Sequence, residues 1–263
     1  MARPGVRRMN HAFADDPKQS FAPPNPPGPA ATVHYVASHL VLEPLLLGAA
    51  AWAVQHGPIH LMLARSLADD ATQSFDWRHS VWLDFLGHQA ARGLPTMVSG
   101  VAVAGGVAGF FLAQLRPWRG ILLTLGAAMI AGLALINLLK AMTTQHCPAT
   151  LTEFGGVVSY ATDRAAPFSA ATQRDAGRCL LSVHAGGGYA PPASYFADWA
   201  AGRPVWRRRG PVIGIAAGLV FSAVRMMRGA HFVSATLWSA EITWTVATLF
   251  FLPLVCRAAT PRS

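Results

Sequence analysis

Gly120-Ile-Leu-Leu-Thr-Leu-Gly-Ala-Ala-Met-Ile-Ala-Gly-Leu-Ala-Leu-Ile-Asn-Leu-Leu139 runs for twenty residues without a charge and stops at Lys140. At a helical rise of about 1.5 Å per residue this stretch matches the ~30 Å of a bilayer's hydrocarbon layer, and the lysine marks where hydrocarbon gives way to headgroups. Five more apolar segments, at about 40–64, 94–115, 180–200, 211–230 and 233–256, have similar length. The pattern predicts an all-α, polytopic membrane protein, a six-transmembrane-helix bundle.

Composition agrees. The chain is 52% hydrophobic and only 13% charged. Its net charge of +9 does not mark a nucleic-acid binder, because the 21 basic residues fall in short groups between apolar runs rather than on one soluble face. They read instead as a topology signal. Arg3, Arg7, Arg8 and Lys18 precede the first span; Arg116 and Arg119 follow the second; Arg203 and Arg207 to Arg209 follow the fourth; Arg257 and Arg262 follow the sixth. Six spans put these 12 of the 21 on one side, which the positive-inside rule makes cytoplasmic, with both termini there. The loops 65–93 and 140–178 and the junction 229–233 then face outward.

Residues 1–36, with the run Phe21-Ala-Pro-Pro-Asn-Pro-Pro-Gly-Pro29, read as a disordered cytoplasmic tail, residues 37–257 as the membrane domain and 258–263 as a short C-terminal tail. Two spans carry groups awkward in lipid: Glu43, Gln55, His56, Pro58 and His60 in the first, Pro191, Pro192 and Asp198 in the fourth. The fourth is retained because removing it would move Arg207 to Arg209 to the outward side.

Three clusters share the outward depth. Lys140 ends span three, Ser182 and His184 begin span four, and Arg225, Arg228 and His231 end span five. Cations and imidazoles are costly in lipid, so their convergence on one rim points to a site for an anion. Lys140 supplies a point charge and the arginines forked donors that fit phosphate oxygens. Ser182 adds a hydroxyl, and the start of span four adds backbone N–H groups that Gly186 to Gly188 would let a phosphate approach. Of two histidines in such a site, one can attack phosphorus while the other protonates the departing oxygen.

The three clusters resemble the signature of the type 2 phosphatidic acid phosphatases, which runs Lys-x(6)-Arg-Pro, then Pro-Ser-Gly-His, then Ser-Arg-x(5)-His-x(3)-Asp. Here they read Lys140-Ala-Met-Thr-Thr-Gln-His-Cys147-Pro148, Leu181-Ser182-Val183-His184, and Val224-Arg225-Met-Met-Arg-Gly-Ala-His231-Phe-Val-Ser-Ala235, in the same order and at the same spacing. The first is similar to a bacterial membrane branch of the family with Lys-x(6)-Cys-Pro followed by a Leu-x(2)-Phe/Tyr-Gly-Gly run, matched by Leu151-Thr-Glu-Phe-Gly-Gly156. The resemblance covers about residues 38–256. It implies a six-helix bundle with an outward site, His231 as nucleophile, His184 as general acid, and Lys140, Ser182 and Arg225 as phosphate ligands. It implies no cofactor, and no metal is expected from the sequence.

The departures are specific. Cys147 takes the place of the family's first arginine, and Arg228, one turn from both Arg225 and His231, is read as its partial substitute at the phosphate. Leu181 and Val183 replace the proline and glycine beside Ser182. Ala235 stands where the family has the aspartate that orients the nucleophile. Glu153, in the loop after the first cluster, is a freer candidate for that place than Glu241, which lies too far along the same span and reads as a buried acid pairing with a neighbouring helix. Cys147 and Cys179 flank the outward loop. Paired in an oxidising periplasm, they would tie the first two clusters and close a loop worth roughly 3–4 kcal/mol of unfolded-state entropy; reduced, they would be two buried thiols.

The sequence therefore predicts an integral membrane phosphatase of the bacterial inner membrane, its site facing the periplasm, acting on a lipid phosphate monoester or pyrophosphate through a phosphohistidine. The membrane lipid itself is the other expected partner, and no nucleic acid is. A degenerate relative that binds phospholipid or an envelope protein without turnover is the alternative. A solute transporter is disfavoured because the polar clusters lie at a rim rather than at mid-membrane. His34, His39, His56, His60, His79, His88 and His146 belong to no motif and read as packed or interfacial residues.

Overall fold

A computed structural model describes residues 29–165, 177–189, 193–201 and 206–259. The proline-rich run before Pro29, the last four residues, Arg203, Pro191 and Pro192 lie outside the described residues. Among those described the chain is helical, with a single isolated bridge between Leu151 and Val158.

Three helices are long and apolar enough to cross a membrane: α1 (Thr32–His56), α4 (Arg119–Ala141) and α8 (Val233–Ala259), whose Val233–Cys256 portion qualifies. They make the chain a membrane protein. Between α1 and α4 come α2 (Ile59–Leu67) and α3 (Ala91–Ala108); between α4 and α8 come α5 (Val183–Tyr189), α6 (Ala193–Ala201) and α7 (Trp206–Met227), with the shorter apolar stretch Pro211–Met227 inside α7.

The first span is displaced from its sequence expectation. Helix begins at Pro29, inside the stretch read as tail, and α1 ends at His56 rather than at 64. Gly57 is extended (φ −88°, ψ 174°) and Pro58 follows, so the last turn cannot continue and α2 starts afresh. The fourth segment is likewise two short helices, α5 and α6, rather than one unbroken helix.

Polar groups that looked misplaced in the first span have partners. Glu43 accepts from His39, and Gln55 Oε1 accepts from the Trp238 indole N–H at 2.6 Å. Outward-facing apolar side chains such as Leu45, Leu46, Trp52, Val101, Leu138 and Ile213 are exposed, as helices solvated by lipid require. Glu241 is bonded by Thr245 one turn on, along its own helix rather than across to a neighbour.

One apolar core joins α1, α6 and α8 through Tyr35, Phe196, Trp199 and Phe251. A second, of Phe75, Leu151, Phe154 and Phe232, binds the two long loops to the junction between α7 and α8. That junction turns on Gly229, in the left-handed region (φ 62°), where a side chain would strain the backbone and strike the Phe75 ring. Gly187 and Gly188 are used differently from the sequence expectation. They are buried between helices: a Cβ on Gly188 would lie 2.6 Å from Gly218 Cα of α7, and one on Gly187 would lie 2.8 Å from the Ala91 carbonyl of α3. These glycines let α5 nest between its neighbours rather than admit a phosphate.

Candidate active site

Each of the three sequence clusters ends or begins a helix at the same end of the bundle. Lys140 lies in the last turn of α4, where its charge also complements the helix dipole. The chain then runs extended through Thr144 and Gln145, whose carbonyls accept from Gly177 N–H at 3.1 Å and Cys179 N–H at 2.8 Å. The Cys147 and Cys179 sulfurs are joined, with Cα atoms 5.1 Å apart.

Ser182 is fully buried and caps α5: its Oγ accepts from Ala185 N–H at 3.3 Å, while its own N–H donates to Ser239 Oγ at 2.9 Å. The hydroxyl proton is left to donate. His184 lies in the first turn of α5. Its ring packs on His88, centroids 4.7 Å apart, and its Nδ1 is buried with no hydrogen-bond partner among the described residues. Arg225 lies half-buried in the last turn of α7, with Nε buried and without a hydrogen-bond partner among the described residues.

His231, on the turn between α7 and α8, is 2% exposed. It lies within Coulombic range of Arg225, Lys140 and His184, so the structure brings all three clusters together. Burial drives its imidazole well below the ordinary histidine value, with the nearby Arg225 and Lys140 charges adding to the effect. His231 Nδ1 lies 3.2 Å from the carbonyl oxygen of Cys179. A carbonyl only accepts, so Nδ1 carries the proton and the lone pair resides on Nε2, the tautomer a nucleophile needs. The sequence placed Glu153 as the substitute for the missing aspartate. Glu153 instead accepts from Thr152 beside it, and the position at Nδ1 belongs to a backbone carbonyl.

Arg228 also differs from its expected place. Its guanidinium donates to Asp84 at 2.6 Å and to the Arg78 carbonyl at 3.2 and 3.3 Å. The Asp84 carboxyl is held below the usual carboxylate range mainly by that bond. Arg228 is thus committed to the loop before α3, and a phosphate would have to compete with Asp84 for it.

Beside Lys140 and His184 opens a cavity of about 420 Å³ between α3, α4 and α5, walled also by His88, Arg92, Thr96 and Asn137. These belong to no motif. His88 and Arg92 fall in the segment entering the second span, where their only sequence signal is a histidine and an arginine one turn apart. A second cavity of about 240 Å³ gathers Arg78, Arg225 and Arg228 around Cys147 and Thr150. His231 lines neither. It borders a void of about 10 Å³ with His60 and Phe232, so phosphate reaches Nε2 only with local rearrangement. Among the described residues no three His, Cys, Asp or Glu side chains gather to hold a metal ion.

Apolar helices that end on cations, with a buried imidazole on the turn between two of them, form a candidate anion site in a membrane protein. The model of the PAP2 superfamily matches residues 121–254, a little over half of the chain and all three clusters. The chain belongs to the PAP2 superfamily, whose members are generally phosphatases acting on phosphate esters. Comparison with curated proteins and with solved structures gave no match.

Proposed function

We propose that this chain is an integral membrane phosphatase that removes phosphate from a lipid-borne monoester or diphosphate through a phosphohistidine intermediate. The observation that carries the reading is the His231 imidazole: buried, neutral, hydrogen-bonded at Nδ1, and flanked by Lys140 and Arg225.

In the proposed reaction Nε2 of His231 attacks phosphorus, the P–O bond to the lipid breaks, and His184 gives its proton to the departing oxygen. Water then attacks phosphorus, the P–N bond breaks, and His184 recovers a proton from that water. Lys140 and Arg225 bind the equatorial oxygens, where charge gathers in the transition state, and the Ser182 hydroxyl donates to one of them. Arg228, bound to Asp84, braces the last turn of α7 that presents Arg225.

The cavity walled by Lys140 and His184 is where the ester would enter from the lipid side. The topology proposed with this chemistry has six crossings. α3, the α5–α6 pair and α7 add to the three long helices, both termini are cytoplasmic, and the site opens to the periplasm of a bacterial inner membrane. The basic groups after spans two, four and six support that orientation.

Purified protein in mixed micelles, offered phosphatidic acid, phosphatidylglycerol phosphate, an isoprenyl diphosphate and lipid A, should release inorganic phosphate from at least one. His231→Ala should release none. No release by the unaltered protein from any of the four, with lipid binding retained, would favour the degenerate reading that the loss of the aspartate at Ala235 suggests.

A further inference from the structure

We propose that the Cys147–Cys179 disulfide is the positioning element for His231, and that the Cys179 carbonyl it fixes replaces the carboxylate missing at Ala235. The inference rests on His231 as nucleophile and goes on to name what orients it. Four observations meet here. His231 Nδ1 faces the Cys179 carbonyl oxygen at 3.2 Å. Cys179 is held covalently by Cys147. Its segment is held further by the Cys179 N–H on Gln145 O and the Gly177 N–H on Thr144 O. Finally, the segment after Cys147 is bonded directly to the turn that carries the histidine, through Ala149 N–H on Gly229 O at 3.0 Å. The acceptor and the imidazole are therefore referenced to one short stretch, Cys147 to Ala149, from two directions.

A carboxylate at position 235 would orient the ring and also stabilise the imidazolium with its charge; a neutral carbonyl supplies the orientation alone. It does so only if it cannot drift, because a backbone carbonyl in a loop has no rotamer of its own to lock. The cross-link provides that fixation. Two departures from the family pattern then belong to one arrangement: the cysteine at 147, which removes a phosphate-binding arginine, supplies half of the bond that compensates for the alanine at 235. The remaining backbone bonds of Cys179 keep the loop near its place after reduction, so the expected consequence is loss of alignment rather than unfolding.

The deciding measurement is the ¹⁵N spectrum of histidine-labelled protein in lipid bilayers, with the His231 signal assigned by difference from His231→Gln. Oxidised protein should show a single neutral tautomer protonated at Nδ1. Tris(carboxyethyl)phosphine attacks one sulfur and breaks the S–S bond, and water then supplies the oxygen of the phosphine oxide and the protons of the two thiols. Treated protein should show both tautomers, and reoxidation should restore the first spectrum. The Cys147→Ser/Cys179→Ser double variant should resemble the reduced protein and ignore the reductant. With a turned-over substrate, kcat should fall at least tenfold while KM stays near its original value, since Lys140 and Arg225 are untouched. A single Nδ1-protonated signal that persists after reduction and in the double variant overturns the proposal, whatever the enzyme assay gives. Absence of phosphate release with the tautomer shift present would instead overturn the phosphatase reading alone.

Discussion

His39 and His231 are both buried histidines of the same helical bundle, and their surroundings have nothing else in common. His39, 8% exposed, is enclosed by Tyr35, Tyr195, Phe196, Trp199 and Trp244, and both nitrogens are occupied: Nδ1 by Glu43 at 3.3 Å and Nε2 by the Tyr195 hydroxyl at 2.9 Å. His231 has a single acceptor at Nδ1, and its nearest charges are cations. A ring pinned at both ends holds helices together. A ring pinned at Nδ1 alone, within the field of nearby cations, keeps a second nitrogen for the chemistry proposed above.

Replacement of each histidine by glutamine separates the two uses most sharply. His231→Gln should lower phosphate release by roughly 10³-fold or more, because the proposed attacking atom is gone, with the thermal unfolding midpoint little changed. His39→Gln should leave turnover near that of the unaltered protein and lower stability by about 1–3 kcal/mol through disrupted buried hydrogen bonds. Turnover assays and detergent-solubilised melting curves on both variants check the pair. Equal effects on activity would mean that the two ends of the bundle are not distinct in function.

The cations around His231 come next in expected effect. Lys140→Ala or Arg225→Ala should each cost about 10²–10³-fold in kcat, the usual size for a preorganised group that meets charge developing in the transition state. Arg228→Ala should cost at most about fivefold, as expected for a solvent-screened ion pair, because its guanidinium is spent on Asp84, whose side chain is 52% exposed. Kinetics of the three single variants on one substrate decide it. A loss for Arg228→Ala as large as that for Lys140→Ala would put Arg228 on the phosphate, where the sequence reading had it.

The contrast between the histidines also marks how far the sequence can be read. The helical membrane character was legible, since a charge-free run such as Gly120–Leu139 has few other uses, and so were the helix ends on which Lys140, His184 and Arg225 stand. Helix limits were less legible. Gly57 and Pro58 end α1 by a local backbone break, whereas the apolar pattern continues through them. The glycines of α5 could not be assigned from composition, because close approach to a ligand and close approach to a helix demand the same absent Cβ. Nor could the partner of His231 be found by reading side chains. A backbone carbonyl has no letter in the sequence, and the expectation therefore settled on Glu153. His88 and Arg92 were passed over for a related reason: single polar residues near a span end have many innocuous explanations, and only the cavity they share with Lys140 and His184 distinguishes them.

The smallest expected effect concerns protons. The free histidine value is 6.5 and that of folded His231 lies well below it, so on acidification the unfolded chain takes up a proton at this position that the folded protein refuses. Stability attributable to this residue is therefore fully present above about pH 6.5 and declines as pH falls from there toward the depressed folded value. For the nucleophile the sign is favourable, because Nε2 keeps its lone pair through mildly acidic conditions and the acid limb of kcat/KM should not begin at an ordinary histidine value on account of His231. Melting midpoints taken every half unit downward from pH 7 should drop less steeply in His231→Gln than in the unaltered protein. Parallel slopes in the unaltered protein and His231→Gln would mean that this imidazole titrates as freely folded as unfolded, and its dry, cation-flanked setting would lose its chemical meaning.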